Sequence, residues 1–390
     1  MWSHLKLIWL KMDTTLLSLL ALFMLISVWV LSAVQAILPV TIANVPFPQQ
    51  QIVWYIIGFV ALVAVLYVEF DQLQKLHWWL YGLGVGLLLL LVPLQGTSFV
   101  PNINGAYRWI QVAGVTIQPS ELMKIFLTLT LASMAATYAR RPRQGREDLW
   151  FIGKTCLVTF VPFVLVFTQP DLGSGLVLLM IFLAILFVSE IDWKWAIGAL
   201  GFVAASIAGF FYLFLNHISL VERVVPGHSL NRVYAWLDPY SYASDLSYQL
   251  MRSMNKIGAG QITGVGRNNP LVSLPEAHTD FIFASLAGFY GFFGATTVIL
   301  LYFFFIAYTL RMSRRADSWF GTYFIIGMIA MFGFQVFQNI GMTIGVLPIT
   351  GLPLPFLSYG GTSLVVSLFA VGLMMNAAHK TYVRRDIQKI

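Results

Sequence analysis

Charge is what this chain has least of. Only 10% of its 390 residues are Asp, Glu, Lys or Arg, against roughly 25% in an ordinary soluble domain. Hydrophobic residues make up 58%, and the mean hydropathy is +0.79. A soluble fold of this size has too little polar surface to cover such an interior. Cysteine is nearly missing as well: Cys156 stands alone inside an apolar run, which excludes an intramolecular disulfide. One cysteine and six scattered histidines argue against a dedicated zinc site. Nucleotide-binding loops are absent too. No GxxxxGK[ST] occurs, and IGAGQITGVGR (257–267) is not a GxGxxG following a strand.

Long apolar runs are what the chain has. Ten are read near 14–35, 50–69, 76–94, 119–139, 151–168, 173–189, 194–215, 279–310, 319–345 and 357–378. Runs of about 20 residues cross the ~30 Å hydrocarbon core of a bilayer as helices. The expected fold is therefore all-α, a polytopic integral membrane protein of about ten transmembrane helices forming one domain over 1–390. Val34-Gln35-Ala36 resembles a signal cleavage site, but the run before it exceeds the ~7–15-residue core of a signal peptide and reads as a retained helix.

The net charge of +7 is explained by where the charges lie. Placing both termini on one side gathers Lys6, Lys11, Lys75, Arg140, Arg141, Arg143, Arg146 and Lys194 there. Arg311, Arg314, Arg315, Lys380, Arg384, Arg385 and Lys389 join them, while the short opposite loops hold only Arg108. This bias marks the basic side, which holds both termini, as the cytoplasmic side of the membrane. No nucleic-acid partner is expected. Asp13, Glu69, Asp71, Glu147, Asp148, Glu190, Asp192, Asp317 and Asp386 fall on that side and read as solvated interfacial charges. One long outer loop, 216–278, joins the seventh and eighth helices. Its Arg223, Arg232, Arg252, Lys256 and Arg267 do not disturb the orientation, because long loops translocate regardless of charge.

Polar residues on the outer side need a separate reading, since ionisable groups at membrane depth are paired or functional. NGAYRWIQVAGVTIQPSELMKI (104–125) sets Arg108 and Trp109 before a helix that Pro119 opens. Glu121 and Lys124 follow at i, i+3, either as an ion pair at a helix start or as an anion ligand. Asp171 in QPDLGSG is a helix cap or a ligand. LPITGLPLPFLSYGGTSL (347–364) is irregular backbone at membrane depth, tolerated only when buried in protein or lining a wet cavity. Its Ser358, Gly360 and Gly361 form either an anion-binding helix start or a tight packing turn. PEAHTDFIFA (275–284) loads Glu276, His278, Thr279 and Asp280 onto the start of an apolar run, where Thr279 or Asp280 is a candidate N-cap and Asp280 a candidate catalytic acid.

Together NGAYRWI, QPSELMKI, QPDLGSG, PEAHTDFIFA and NIGMTIGVLPITGLPLPFLSYGGTSL resemble the SEDS family (shape, elongation, division and sporulation) of cell-wall polymerases. NIGM and GLPLPF resemble its RodA, or elongation, branch. The resemblance implies a peptidoglycan glycosyltransferase that polymerises lipid II on the outer membrane face. It places the essential aspartate at Asp280 and substrate contacts at Arg108, Trp109, Glu121, Lys124 and Asp171. Glu276, His278, Thr279, Ser358, Gly360 and Gly361 join these as substrate-side candidates. It also implies a divalent metal (Mg or Mn), with Asp280 and Glu121 as candidate ligands, and a class B penicillin-binding protein as partner alongside membrane lipids. One departure is visible: the family pattern A-E-E-x-G reads here Ala287-Gly288-Phe289-Tyr290-Gly291, without either acid. The chemistry expected is one inverting displacement, with Asp280 as general base and Arg108 and Lys124 neutralising the pyrophosphate. The competing readings are a lipid II transporter without chemistry, using broken helices near Pro162 and Pro348–Pro355, and a scaffold for partner enzymes.

Overall fold

In the computed structural model, residues 11–38, 45–103, 105–112, 114–140, 145–223, 227–242, 247–267 and 274–379 are described. Lys6, Arg141, Arg143 and the basic tail from Lys380 lie outside them. The Asp13 carboxylate accepts the N–H groups of Thr15 and Leu16 and so starts α1 (Thr14–Gln35). There follow α2 (Phe47–Leu66), α3 (Phe70–Leu91), α4 (Pro119–Tyr138), α5 (Gly145–Phe167), α6 (Leu172–Val188) and α7 (Trp193–Asn216). The long loop contributes α8 (Ile218–Val221), α9 (Gly227–Leu237) and α10 (Tyr248–Gly260). The chain ends its described part with α11 (Ile282–Ser313), α12 (Trp319–Thr343) and α13 (Gly361–Ala378).

All ten apolar runs fall on helices. Seven of these helices are both long and apolar enough to cross a bilayer: α1, α2, α5, α7, α11, α12 and α13. Of the other three, α6 is apolar but only 17 residues long. The remaining two, α3 and α4, have 22 and 20 residues and carry more polar side chains. An addition to the expected plan is a small antiparallel hairpin, β1 (Ile110–Val112) with β2 (Val115–Ile117). Gly114, at φ +81, allows its tight turn.

Helices approach closely where glycines face them. A Cβ on Gly372 of α13 would meet the Leu62 carbonyl oxygen of α2 at 2.7 Å, and one on Gly58 would meet Leu368 at 2.4 Å. Small residues let membrane helices touch along their backbones, gaining dispersion contacts that lipid tails do not supply. The centre is aromatic: Phe356 stands with its ring centroid 5.3 Å from each of Phe23, Phe305 and Phe332.

The irregular segment 347–360 is held by side chains of the helices around it. Ser27 donates to the Leu357 carbonyl at 2.8 Å, Gln51 to that of Ser358 at 3.1 Å, and Gln338 to that of Pro348 at 2.9 Å. Tyr55 and Tyr302 donate to the carbonyls of Phe356 and Pro355. Buried backbone without a ladder is stable only when partnered in this way.

IGAGQITGVGR has a packing role. Helix α11 breaks at Gly291 (φ 62, ψ −158), and the freed carbonyls of Gly288 and Phe289 accept the N–H groups of Val265 (3.0 Å) and Gly266 (3.2 Å). A Cβ on Gly291 would sit 2.4 Å from the Gly264 nitrogen, so the Gly-Phe-Tyr departure belongs to a helix break clamped by loop backbone. On the same junction Lys256 of α10 is buried, its Nζ without a hydrogen-bond partner among the described residues and 4.7 Å from the Phe289 ring centroid. Burial pushes this ammonium down to about 8. The unfolded chain then holds more protons than the folded one between pH 8 and the ordinary lysine value, so stability rises with pH there. Lys256→Met should raise the midpoint of thermal unfolding below pH 8, the removed penalty being about 3 kcal/mol. The gain should shrink towards pH 10.5; a gain independent of pH would contradict the assignment.

Candidate active site

Neither Thr279 nor Asp280 caps α11, which corrects that reading of the sequence. The helix begins at Ile282 with Phe281 at the N-cap position and no side-chain cap bond. Glu276 makes the turn instead. It takes a left-handed φ of +53, its carbonyl accepts the N–H groups of Thr279 and Phe281 at 3.2 and 3.1 Å, and its carboxylate accepts the Thr279 hydroxyl at 2.7 Å. A non-glycine residue held there is strained, and such strain persists only where surrounding structure imposes it.

That hook delivers Asp280 into a group of charges from four separate segments. Its backbone carbonyl accepts Asn339 Nδ2 at 2.8 Å, and Asn339 also donates to the Leu352 carbonyl at 2.7 Å. Asn339 thereby ties α12 to the Asp280 turn and to the proline-rich segment. The Asp280 carboxylate lies against Gly351, where a Cβ would come within 3.3 Å of Oδ2. Burial, with the Glu276 charge second, pushes Asp280 up to about 6, while Arg108 and Arg232 pull it down and Asp171 adds to the rise. Desolvation outweighs the two cations. The sequence alone left that balance open.

Arg108 reaches Asp171 at 3.7 Å and lies over the Trp109 ring at 4.4 Å. Asp171 takes the capping role read from the sequence and has further intramolecular partners. It caps α6 by accepting the Ser174 N–H at 3.1 Å, and it accepts Gln118 Nε2 at 2.9 Å and faces Arg108. Glu121 and Lys124 form a buried pair at 2.7 Å, and Lys124 is 0% exposed. Glu121 is not among the charges that act on Asp280.

The remaining candidates hold the turn. Ser358 Oγ accepts the Leu354 N–H and donates to the Thr279 carbonyl, both at 2.8 Å. The His278 ring lies 4.4 Å from Phe47, its carbonyl accepts the Tyr359 N–H at 2.9 Å, and burial lowers its imidazole despite the nearby Glu276. Gly361 packs under Trp54, where a Cβ would approach ring atoms to 2.7 Å, directly after Gly360. Thr362 donates to the Thr116 carbonyl of the hairpin. The close approach at Gly361 and the Thr362 bond are packing contacts at this start of α13.

Sequence reasoning placed Arg232 only among the loop charges. It sits on α9, donates to the carbonyls of Ile349 and Thr350 at 3.4 Å each, and acts electrostatically on Asp280. The available signal was an arginine set in the short amphipathic stretch LNRVYAWL.

Among the described residues no three His, Cys, Asp or Glu side chains gather as a metal site. An all-protein cage is therefore missing from these residues, and Glu121 is already bound to Lys124. Hard divalent ions are also held by one or two carboxylates together with substrate phosphates. Asp280, its carboxylate free of capping duty, fits that second mode.

The family described as "Cell cycle protein", comprising FtsW, RodA and SpoVE, matches residues 10–383. The chain belongs to the SEDS family. Among SEDS relatives, the probable peptidoglycan glycosyltransferase FtsW of Nitrosomonas europaea is 34% identical over 80% of this chain and 78% of that protein. Stage V sporulation protein E of Bacillus subtilis is 32% identical over 85% and 87%. Among solved structures, a chain of a peptidoglycan synthase complex that coordinates polymerization and crosslinking superposes with TM-score 0.77 at 27% identity, covering 95% of this chain and 98% of that one. The rod shape determining protein RodA of Thermus thermophilus gives 0.67 at 25% identity, covering 95% and 97%. As a SEDS protein the chain is an integral, multi-pass membrane protein.

Proposed function

We propose that this SEDS glycosyltransferase polymerises lipid II into glycan strands at the outer membrane face, with Asp280 as the catalytic carboxylate. One observation carries the reading. Asp280 is delivered by a strained turn and caps no helix, and Glu276 of that turn together with Arg108, Asp171 and Arg232 from three other segments acts on its charge. A structural aspartate would spend its oxygens on backbone amides, as Asp171 does in part.

In the reaction, the acceptor sugar hydroxyl attacks the anomeric carbon of the donor. Its oxygen forms the new glycosidic bond as the bond to the lipid pyrophosphate breaks, and the proton passes to a carboxylate oxygen of Asp280. A carboxyl raised to about 6 is ionised at neutral pH yet basic enough to take that proton. The leaving pyrophosphate departs as an anion, so its transition state calls for cations rather than an acid. Arg108 and Arg232 are the cations placed beside Asp280. A divalent ion, Mg or Mn, would be held by Asp280 and the substrate's phosphates and would neutralise the same charge.

Elongation is the role that fits NIGM and GLPLPF, whose Asn339 anchors the Asp280 carbonyl, and the fit to the RodA structure supports it. Most of the similar named relatives are called FtsW, so expression in elongation-deficient and division-deficient hosts decides the role. Rescue of rod shape alone supports elongation, and rescue of septation alone overturns it. A class B penicillin-binding protein is the partner that fits such a polymerase.

Arg232→Gln tests the role of the loop arginine. Removing a cation that lowers Asp280 should shift the acid limb of the rate profile upward from about 6, with turnover reduced about tenfold or more. An unchanged pH profile with normal turnover would place Arg232 outside the reaction.

A further inference from the structure

At the end opposite Asp280, α3, the close of α4 and the start of α5 enclose a cavity of about 530 Å³. Volumes of this size hold small ligands. Trp78, Tyr138 and Trp150 supply aromatic walls, and His77, Glu147 and Lys154 supply the polar groups. Two of those groups lack partners among the described residues: Glu147 Oε2 and His77 Nδ1 are buried without a hydrogen bond there. A buried acceptor left unmade costs about 1–3 kcal/mol, so the cavity is built for a donor it must receive from outside. The Lys154 ammonium stands over the Trp150 ring at 4.7 Å, which leaves the cavity with one anionic and one cationic side.

The mouth opens among exposed apolar side chains. Trp78 is 45% exposed and Trp150 64%, and Leu149 and Leu157 on the same helix are 54% and 64% exposed. Tryptophan at this level marks the boundary where headgroups lie. A carboxylate amid aromatic rings suits an ammonium group, a lysine suits a phosphate, and apolar side chains beside the opening suit acyl chains.

We propose that this cavity binds the headgroup of a zwitterionic, primary-amine phospholipid from the cytoplasmic leaflet. Its ammonium meets Glu147 and the rings, and its phosphate meets Lys154. The site is separate from the Asp280 centre and adds a lipid ligand to an enzyme whose substrate is itself a lipid.

The test uses the full-length protein, delipidated in detergent and titrated with phosphatidylethanolamine, phosphatidylglycerol or an N-acylated phosphatidylethanolamine. Bound lipid is counted by native mass spectrometry. Phosphatidylethanolamine should be retained about tenfold better than either of the others. Glu147→Gln should erase that preference, and Lys154→Met should weaken all three lipids. Equal retention of the amine-bearing and N-acylated lipids by the wild type overturns the proposal without any variant having to fold. So does a preference for phosphatidylglycerol, or a phosphatidylethanolamine preference that survives Glu147→Gln in folded protein. Soluble phosphoethanolamine, binding as tightly as the lipid, would show a free metabolite site and overturn the lipid assignment.

Discussion

Asp280→Asn should abolish glycan polymerisation while leaving the protein better folded than the wild type. Losing a positioned general base costs typically 10²–10⁴ in rate, which in a gel assay with lipid II reads as no long product. The stability half of the result follows from linkage. Asp280 is raised from 3.8 to about 6, so between those values the folded protein holds a proton that the unfolded chain has already released. Stability therefore falls as pH rises through that window, and above it the full penalty remains. Asparagine carries no charge to desolvate, and at pH 7 it should recover on the order of 3 kcal/mol. Catalytic groups often trade stability for function in this way. The wild-type rate should fall as pH drops through about 6, because the protonated carboxyl cannot accept the sugar proton. If folded Asp280→Asn polymerises normally, Asp280 is not the base.

How much of this was legible beforehand differs between the fold and the site. The helices were readable because membrane spans are set by length and hydropathy, both local properties. The starts of α2, α3 and α5 lie upstream of the apolar runs by 3 to 6 residues, since polar turns such as Phe70–Lys75 are helical without being apolar. Asp280 stood out because a polar cluster before an apolar run is itself a local signal. That it does not cap α11 was not legible, because the start of that helix depends on the left-handed turn at Glu276. Arg232 carries no comparable local signal: its place near Asp280 is set by contacts to Ile349 and Thr350, more than a hundred residues away in sequence. The acid Asp148 misled in the opposite sense. It reads as a solvated interfacial charge, yet it is 4% exposed, accepting Tyr138 and the Asp192 N–H. The hairpin does have a local signal, since VAGVTI carries β-branched residues around a glycine turn.

Glu121 and Lys124 call for a different experiment, because structure and substrate binding make opposite predictions for them. The pair is closed from solvent at 2.7 Å, and removing one member of a buried pair strands the other's charge at a cost of about 3–5 kcal/mol. Lys124→Met alone should therefore sharply lower the thermal midpoint and the yield of folded protein. Glu121→Gln combined with Lys124→Met removes both charges and should restore folding, since a matched neutral replacement of a buried pair is often neutral or stabilising. Polymerisation by that double variant is the deciding measurement. If its activity returns with its stability, the pair only braces α4 beside the Asp171 cap, reached through Ser120 at 3.4 Å. If the double variant folds but stays inactive, with the Michaelis constant for lipid II raised, Lys124 leaves Glu121 for the pyrophosphate during turnover. The closed pair favours the first outcome: Lys124 is 0% exposed, and Glu121 does not act on Asp280. Arg108 and Arg232 are then the cations that meet the leaving group.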